Sequence, residues 1–233
     1  INFHVKGFYN KSRQMRLLHY ILIVIVLLLV SCKKDKEIPK DEPIVPSQAT
    51  PKNYAKLAVG NYWIYQRFKI DTNGVTTPLN AFDSCYVSSQ TTLGGDTYYE
   101  MYRPNSYGTP YSYLRDSAGW INNADLRTIF SPTDFTKIFH VGYATNGPTD
   151  TIAMAINKMT GEDSLVTTPA GTFTTSNSQW THYMYSYWKF YGGVIRRTNT
   201  CYAENIGIVL ETLYIQYSDP YIYERRLVRY HVN

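Results

Sequence analysis

The sequence predicts an all-β fold, an antiparallel meander that forms either a half-barrel or a sandwich. Tyrosine accounts for 23 of the 233 residues, and tyrosine favours strands and half-buried surfaces. Short segments rich in Tyr, Val, Ile and Thr alternate with turns that contain Gly, Asn or Asp, as expected for hairpin-linked strands. No window longer than a few residues shows the apolar period of 3.6 that marks a helix.

The strands are expected in chain order between these turn signals. The first covers residues 62–68 and leads into Asp71-Thr72-Asn73-Gly74, a good hairpin turn. The segments 124–129 and 134–139 are the two that are compatible with a helical turn. Further strands are predicted at 81–88, 97–103, 111–115, 120–122, 138–143, 152–159, 164–168, 179–191, 198–203, 208–217 and 221–232.

The first 50 residues differ in kind from the rest of the chain. Residues 21–30 form an unbroken apolar run after several basic residues, and the run is shorter than the roughly 20 residues of a membrane-spanning helix. This order is typical of a signal peptide. Because Met15 gives a signal of ordinary length, residues 1–14 are expected to be spurious upstream sequence and 15–31 the signal peptide. Residues 32–50, rich in charge and proline, are predicted to be a flexible tether, and 51–233 the β-rich domain.

The apolar run ends in Leu29-Val30-Ser31-Cys32, which resembles the lipobox of bacterial lipoproteins. The resemblance implies that Cys32 becomes the N-terminal residue, with diacylglycerol on its thiol and a further acyl chain, such as palmitate, on its amine. Several chains together anchor a protein stably in a membrane. Lys33 in place of an aspartate implies a lipid-anchored position at the outer membrane, on its periplasmic or cell-surface face. An ordinary signal peptide with a chance cysteine and an uncleaved anchor helix are the alternatives.

Three phrases of the domain resemble a group of Bacteroidota-type outer-membrane lipoproteins with no characterised activity. They are Gly60-Asn61-Tyr62-Trp63, Pro169-Ala170-Gly171-Thr172-Phe173 and Gly207-Ile208-Val209. The resemblance implies a fold and a location, but no substrate. Physically, proline fixes the entry of a turn and glycine permits a positive φ, so Phe173 is expected to begin a strand that faces inward.

The charges argue against nucleic acid as a partner. Residues 1–31 contain four basic and no acidic side chains, which leaves 19 basic and 18 acidic side chains in the remainder. These charges are scattered, whereas nucleic-acid binding requires a basic stripe that neutralises phosphates.

The histidines of residues 32–233 are His140, His182 and His231. They lie far apart and not at metal-ligand spacings. Because the sequence also contains no recognised catalytic motif, we expect neither an enzyme nor a metal or cofactor.

Two features of the domain are candidates for a special role. Cys85 and Cys201 are predicted either to form a disulfide or to be buried small hydrophobic residues.

The second feature is the segment 180–191. If it is a strand, alternation places Trp180, His182, Met184, Ser186, Trp188 and Phe190 on one face, and Tyr183, Tyr185, Tyr187 and Tyr191 on the other. That tyrosine face is expected either to bind a ligand such as a sugar ring or to stabilise the sheet by cross-strand pairing.

The leading hypothesis is a lipoprotein, held in the membrane through the lipid on Cys32, whose non-catalytic β domain binds a glycan or an envelope protein. The alternative is a half-barrel that binds a lipid or another hydrophobic ligand in its concavity. A hydrolase with an unrecognised site is the third hypothesis. An apolar cavity favours the second hypothesis, whereas a flat Tyr/Trp patch favours the first.

Overall fold

The computed structural model describes residues 52–104, 110–185, 187–191, 193–214 and 220–233. The segment Thr50–Asn233 forms one compact unit, and its described residues include a continuous hydrophobic core. The predictions for residues 1–50, Cys32 among them, lie outside the described residues. None of the helical segments described is long and apolar enough to cross a membrane.

The predicted all-β fold is confirmed. Twelve antiparallel strands form one sheet. The strands are β1 (Tyr62–Ile70), β2 (Thr76–Leu93), β3 (Asp96–Tyr102), β4 (Tyr111–Ser117), β5 (Trp120–Asn123), β6 (Thr128–Phe130), β7 (Ile138–Asn146), β8 (Asp150–Thr168), β9 (Gly171–Met184), β10 (Ile195–Ala203), β11 (Gly207–Tyr214) and β12 (Ile222–His231).

The sheet is a circular meander with one break. Its strand order is β6-β5-β4-β3-β2-β1-β12-β11-β10-β9-β8-β7, so every strand pairs with its neighbours in sequence and the first strand pairs with the last. The pair missing from this circle is β6 with β7. The sheet is therefore nearly closed and barrel-like, with β6 and β7 as its two edges.

Strand β6 contacts β7 and β8 and reaches towards β9 and β10, but among the described residues it forms no ladder with β7. The Ser178 hydroxyl on β9 donates to the Ile129 carbonyl at 2.7 Å, and the Phe130 ring lies 4.5 Å from the ring of Tyr202 on β10. Strands β9 and β10 are the second and third strands in from β7. The edge formed by β7 therefore extends beyond β6.

The phrases Gly60-Asn61-Tyr62-Trp63 and Gly207-Ile208-Val209 meet at the junction of the first and last strands. The Trp63 indole N–H donates to the Ile206 carbonyl at 2.6 Å, and the Tyr65 hydroxyl donates to the Ile208 carbonyl at 2.8 Å. Asn61 is fully buried; its side-chain amide donates to the Lys56 carbonyl. These residues are explained by structure, because they hold two distant segments together.

The third phrase forms the tip of the long β8–β9 hairpin, as predicted. Gly171 has a φ of +137°, a value that glycine adopts without a steric penalty. Phe173 then packs against the core, and the Ala170 N–H donates to the Leu227 carbonyl on β12 at 3.0 Å. The tip of the hairpin is thereby attached to the last strand.

The hairpin turn predicted at Asp71 to Gly74 is also present, and the Asp71 carboxylate accepts the Asn73 and Val75 N–H groups.

Three predictions about elements were wrong. Residues 124–129 and 134–139 contain no helical turn. The first segment leads into β6. In the second, the Asp134 carboxylate accepts the N–H groups of Thr136 and Lys137 and closes a polar turn. The segments 152–159 and 164–168 belong to one strand that continues through an irregularity at Gly161. The strand predicted at 179–191 ends at Met184, and a 3-10 turn follows at Trp188–Tyr191.

We predict that Gly207→Ala destabilises the domain by about 2 to 4 kcal/mol. A Cβ at this position would lie 3.1 to 3.3 Å from three atoms of the buried Trp63 indole, and the residue has a φ of +106°. Urea denaturation of residues 50–233 measures the loss. The matched control is Gly74→Ala, where φ is +80° but no atom lies within 4 Å; it should lose only about 1 kcal/mol. Equal losses in the two variants would contradict a steric role for Trp63.

Candidate functional site

An exposed row of apolar side chains crosses one face of strands β7 to β10. Cross-strand register aligns Tyr143, Met154, Tyr183 and Ile195, and opposite residues of an antiparallel pair point to the same face. Tyr143 is 64% exposed and Tyr183 41% exposed. We call these four residues, with the exposed Tyr185 that follows β9, the tyrosine surface. At about 4.8 Å per strand, the row is about 14 Å wide.

The structure keeps only part of the predicted tyrosine face. Tyr183 and Tyr185 are exposed, and Met184 is buried between them, which agrees with the predicted alternation. The strand then ends, because the Tyr185 carbonyl accepts the N–H groups of Trp188 and Lys189 in a helical turn. Tyr187 is exposed, but its ring contacts the Trp188 ring edge-on at 5.4 Å, and the side chain of Tyr191 lies outside the described residues. Sequence alternation missed Tyr143, which lies on another strand.

A second aromatic row crosses strands β12, β1, β2, β3 and β4. Register aligns His231, Tyr62, Tyr86, Tyr102 and Tyr111, which we call the aromatic ladder. The rings of Tyr86 and Tyr102 are stacked at 4.9 Å, and those of Tyr62 and His231 at 5.8 Å. Tyr102 and Tyr111 meet edge to face at 5.1 Å. Cross-strand aromatic pairs of this kind stabilise a sheet.

The two rows differ in what they offer to a ligand. In the aromatic ladder, ring faces are covered by neighbouring rings, and Tyr62 and Tyr86 are each 37% exposed. On the tyrosine surface, Tyr143 and Tyr183 are separated by the flexible side chain of Met154 in the register of the strands. Sugar rings stack on open aromatic faces, so the tyrosine surface is the better candidate site.

A chain of alternating charges lies beneath the junction of the first and last strands. Arg67 donates to both oxygens of Asp83, at 2.9 and 2.6 Å. Arg225, which is 2% exposed, lies between Asp83 and Glu211, and Arg103 pairs with the other oxygen of Glu211. We call these five residues the ion chain. The Arg225 guanidinium also lies over the Tyr65 ring, 5.0 Å from its centroid.

The ion chain supports structure and is poorly suited to proton transfer. Burial opposes the ionisation of Glu211, but the charges of Arg103 and Arg225 outweigh it and hold the pKa of this carboxyl below its usual range. A general base works best when its pKa lies near the operating pH. Sequence reasoning missed this chain. A signal existed, because each member lies two positions from a buried residue: Tyr65, Cys85, Met101, Val209 and Leu227.

Both cysteines are buried free thiols in the structure. Cys85 lies on β2 and Cys201 on β10, and three strands, β1, β12 and β11, separate them in the sheet. The arrangement is therefore that of two buried small residues and not that of the disulfide pair. Burial raises the pKa of Cys85 to about 11 and that of Cys201 to about 12. Both are therefore protonated at neutral pH, and the thiolate is the reactive form.

One apolar cavity of the interior is too small for an organic ligand. An apolar cavity lined by Trp63, Met101 and Ile208, among others, has a volume of about 10 Å³, which is close to the volume required for one water molecule. Sites for small molecules commonly enclose about 300 to 1,000 Å³. Among the residues that the structure describes, no group of three His, Cys, Asp or Glu side chains is placed to hold a metal ion.

Comparisons with known proteins found two similar solved structures. One is a candidate lipoprotein from Parabacteroides distasonis ATCC 8503, with 14% identity and a TM-score of 0.45. The other is a candidate exported protein with a YmcC-like fold from Bacteroides fragilis NCTC 9343, with 14% identity and a TM-score of 0.44. Each match covers 77% of this chain and 99% of the other. TM-scores below 0.5 do not by themselves establish a shared fold. Scans against protein-family models and curated proteins gave no match.

We predict that His182 makes the domain less stable as the pH falls from about 6.5 to about 4. Burial lowers the pKa of His182 from 6.5 to about 4, and Arg196, its cross-strand neighbour, adds to this lowering. In this range the unfolded chain binds a proton that the folded chain excludes, so the free energy of unfolding decreases with falling pH. The loss should be on the order of 2 kcal/mol after allowance for partial exposure.

Urea denaturation at a series of pH values tests this prediction. His182→Gln, which cannot be protonated, should flatten the decrease between pH 6.5 and 4. His231→Gln changes an exposed histidine and should keep the wild-type slope. An unchanged slope in His182→Gln would show that another group titrates in this range.

Proposed function

We propose that this chain is a lipid-anchored, non-catalytic binding protein of the bacterial outer membrane, and that its tyrosine surface binds glycan chains. The single observation that carries the proposal is the row of Tyr143, Met154, Tyr183 and Ile195 on one exposed face. Tyrosine provides an apolar plane for a sugar ring and a hydroxyl group that hydrogen-bonds to sugar hydroxyls. The proposed anchor is the lipid on Cys32, and the proposed location is the periplasmic or cell-surface face.

The size and chemistry of the row fit an extended polymer. A width of about 14 Å accommodates several consecutive sugar rings along the row. The side chains that flank the tyrosines, Met154 and Ile195, are uncharged, so the surface favours neutral saccharides over anionic ligands. The exposed Tyr185 lies beyond Tyr183 and provides a further stacking plane.

The apolar cavity beside Trp63 gives little support to the alternative, a carrier of lipids or other hydrophobic ligands. Its volume of about 10 Å³ is far smaller than the pockets that enclose small molecules. An acyl chain in this cavity would have to displace Trp63, which lines it and donates a hydrogen bond to the Ile206 carbonyl. The hydrolase hypothesis finds little support in the ion chain, because its carboxylates are already paired with arginines.

We predict that oligosaccharides raise the melting temperature of residues 50–233. The screen contains polysaccharide fragments, phospholipids, fatty acids and divalent metal ions. A ligand at about 100 times its dissociation constant stabilises the folded state by about 2.7 kcal/mol, which is readily visible. Tyr183→Ala should weaken oligosaccharide binding about tenfold or more, because a central aromatic side chain dominates such an interface.

Tyr111→Ala is the matched control for Tyr183→Ala. Tyr111 is also exposed, at 46% against 41%, but it belongs to the aromatic ladder, and its loss should leave binding unchanged. If Tyr111→Ala abolishes binding and Tyr183→Ala does not, the site is the aromatic ladder. Stabilisation by lipids alone would overturn the proposal in favour of the carrier.

We predict that Cys32→Ser abolishes lipid attachment and membrane retention. Cells grown with an alkyne-tagged fatty acid should label the wild-type protein but not the variant. Ser31→Ala is the control, because it keeps a small residue before the cysteine and should be labelled normally. A Cys32→Ser protein that stays in the membrane fraction at full length would contradict the lipid anchor.

A further inference from the structure

The open edge of the sheet points to an interaction that glycan binding does not require. We propose that two copies of this chain associate through β7, which pairs edge to edge and antiparallel with β7 of the second copy. The two strands would extend both sheets into one. This inference concerns the backbone edge of β7, the strand that also carries Tyr143 of the tyrosine surface, and it stands if glycan binding fails.

The backbone of β7 is available because β6, the strand that would close the circle, lies near β7 without pairing with it in the described part of the chain. Strand β6 is three residues long and contacts β9 and β10 through Ile129 and Phe130. The Phe139 ring, near the start of β7, contacts the Trp120 ring at 6.3 Å. Within the described part of the chain, no strand pairs with the outer edge of β7. Its middle, residues 140–144, pairs regularly with β8 between two register shifts.

The composition of β7 does not protect it from pairing. Natural proteins commonly protect edge strands with lysine, other charged residues or proline. The nine residues Ile138–Asn146 contain no Lys, Arg, Asp, Glu or Pro. Val141 and Tyr143 are exposed on the face of the tyrosine surface, while Gly142 and Ala144 leave the other face small. A strand of this kind is a template for a further strand.

The charges at the two ends of β7 favour a second copy as the occupant. Lys137 precedes the strand, and the exposed Lys158 lies opposite Ile138 on β8. At the other end, Asp150 lies opposite Asn146. Antiparallel pairing brings the basic end of one copy to the acidic end of the other, twice by symmetry. A parallel arrangement would instead bring like charges together.

The tether is a poor occupant of the same edge. Residues 32–50 contain Pro39, Pro43 and Pro46, and a proline cannot donate to a strand ladder.

Pairing with a second copy also continues the exposed face, because a two-fold axis perpendicular to the sheet keeps both tyrosine surfaces on one side. The dimer would therefore present two such surfaces to one polymer.

Sedimentation velocity of residues 50–233 over about 1 to 100 µM tests the proposal. The wild type should show a concentration-dependent dimer. Val141→Lys places two lysines near the two-fold axis and should weaken association about tenfold or more. The matched control is Val75→Lys, an exposed valine in the β1–β2 turn, which should associate like the wild type. A wild type that stays monomeric, or equal association in both variants, overturns the proposal.

A pair of charge variants tests the pairing of opposite charges at the ends of β7. Asp150→Lys makes both ends of β7 basic, and Lys137→Asp with Lys158→Asp makes both ends acidic, so each protein alone should be monomeric. An equimolar mixture of the two should form a heterodimer, because both junctions are then complementary. Recovery in the mixture also shows that each variant is folded. Failure of the mixture to associate overturns the antiparallel pairing.

Discussion

The pairing of β1 with β12 is the constraint on which the rest of this structure depends. It joins the two ends of a meander that would otherwise be an open sheet. The Trp63 and Tyr65 side chains of β1 also reach past β12 to the carbonyls of Ile206 and Ile208, each 143 residues away in the chain. Closing so long a loop costs conformational entropy, which buried contacts must offset. The Trp63 indole provides one such contact, since it packs directly against Gly207, where no side chain intervenes. Once this junction forms, a single break remains, and its place between β6 and β7 determines where the sheet has an edge.

The ion chain lies beneath the same junction, and its cost explains why it must be complete. Transferring a charged group into the interior costs several kcal/mol, and close pairing with good geometry is needed to offset it. Glu211 is held by Arg225 and Arg103, while Asp83 receives both donors of Arg67. Each carboxylate contacts two arginines, and Arg225 contacts both carboxylates, so these residues tie β1, β2, β11 and β12 together.

The sequence indicated the fold class because turn residues and alternation are local signals. The tip at Pro169 to Phe173 was predicted correctly, since proline and glycine restrict φ wherever they stand. Local signals did not predict the ion chain, because its members are charged residues far apart in sequence that meet only after β1 pairs with β12. The end of β9 at Met184 was also missed. Alternation continued through residue 191, but the Tyr185 carbonyl closes a turn, and the Trp188 ring packs against the small core around Ala153 and Met184. Alternation therefore predicted the exposure of Tyr183 and Tyr185 but not that of Tyr143, which lies on another strand.

The tyrosines of this chain form two rows, which differ in whether neighbouring rings contact one another. In the aromatic ladder, rings cover one another and stabilise five adjacent strands, which accounts for much of the unusual composition without any ligand. Tyr143 and Tyr183 are also exposed, but in the register of the strands Met154 lies between them in place of a ring. The exposed tyrosines of strands β7 to β10 and the unpaired edge of β7 lie in the same part of the sheet, which is where both proposed interactions are placed.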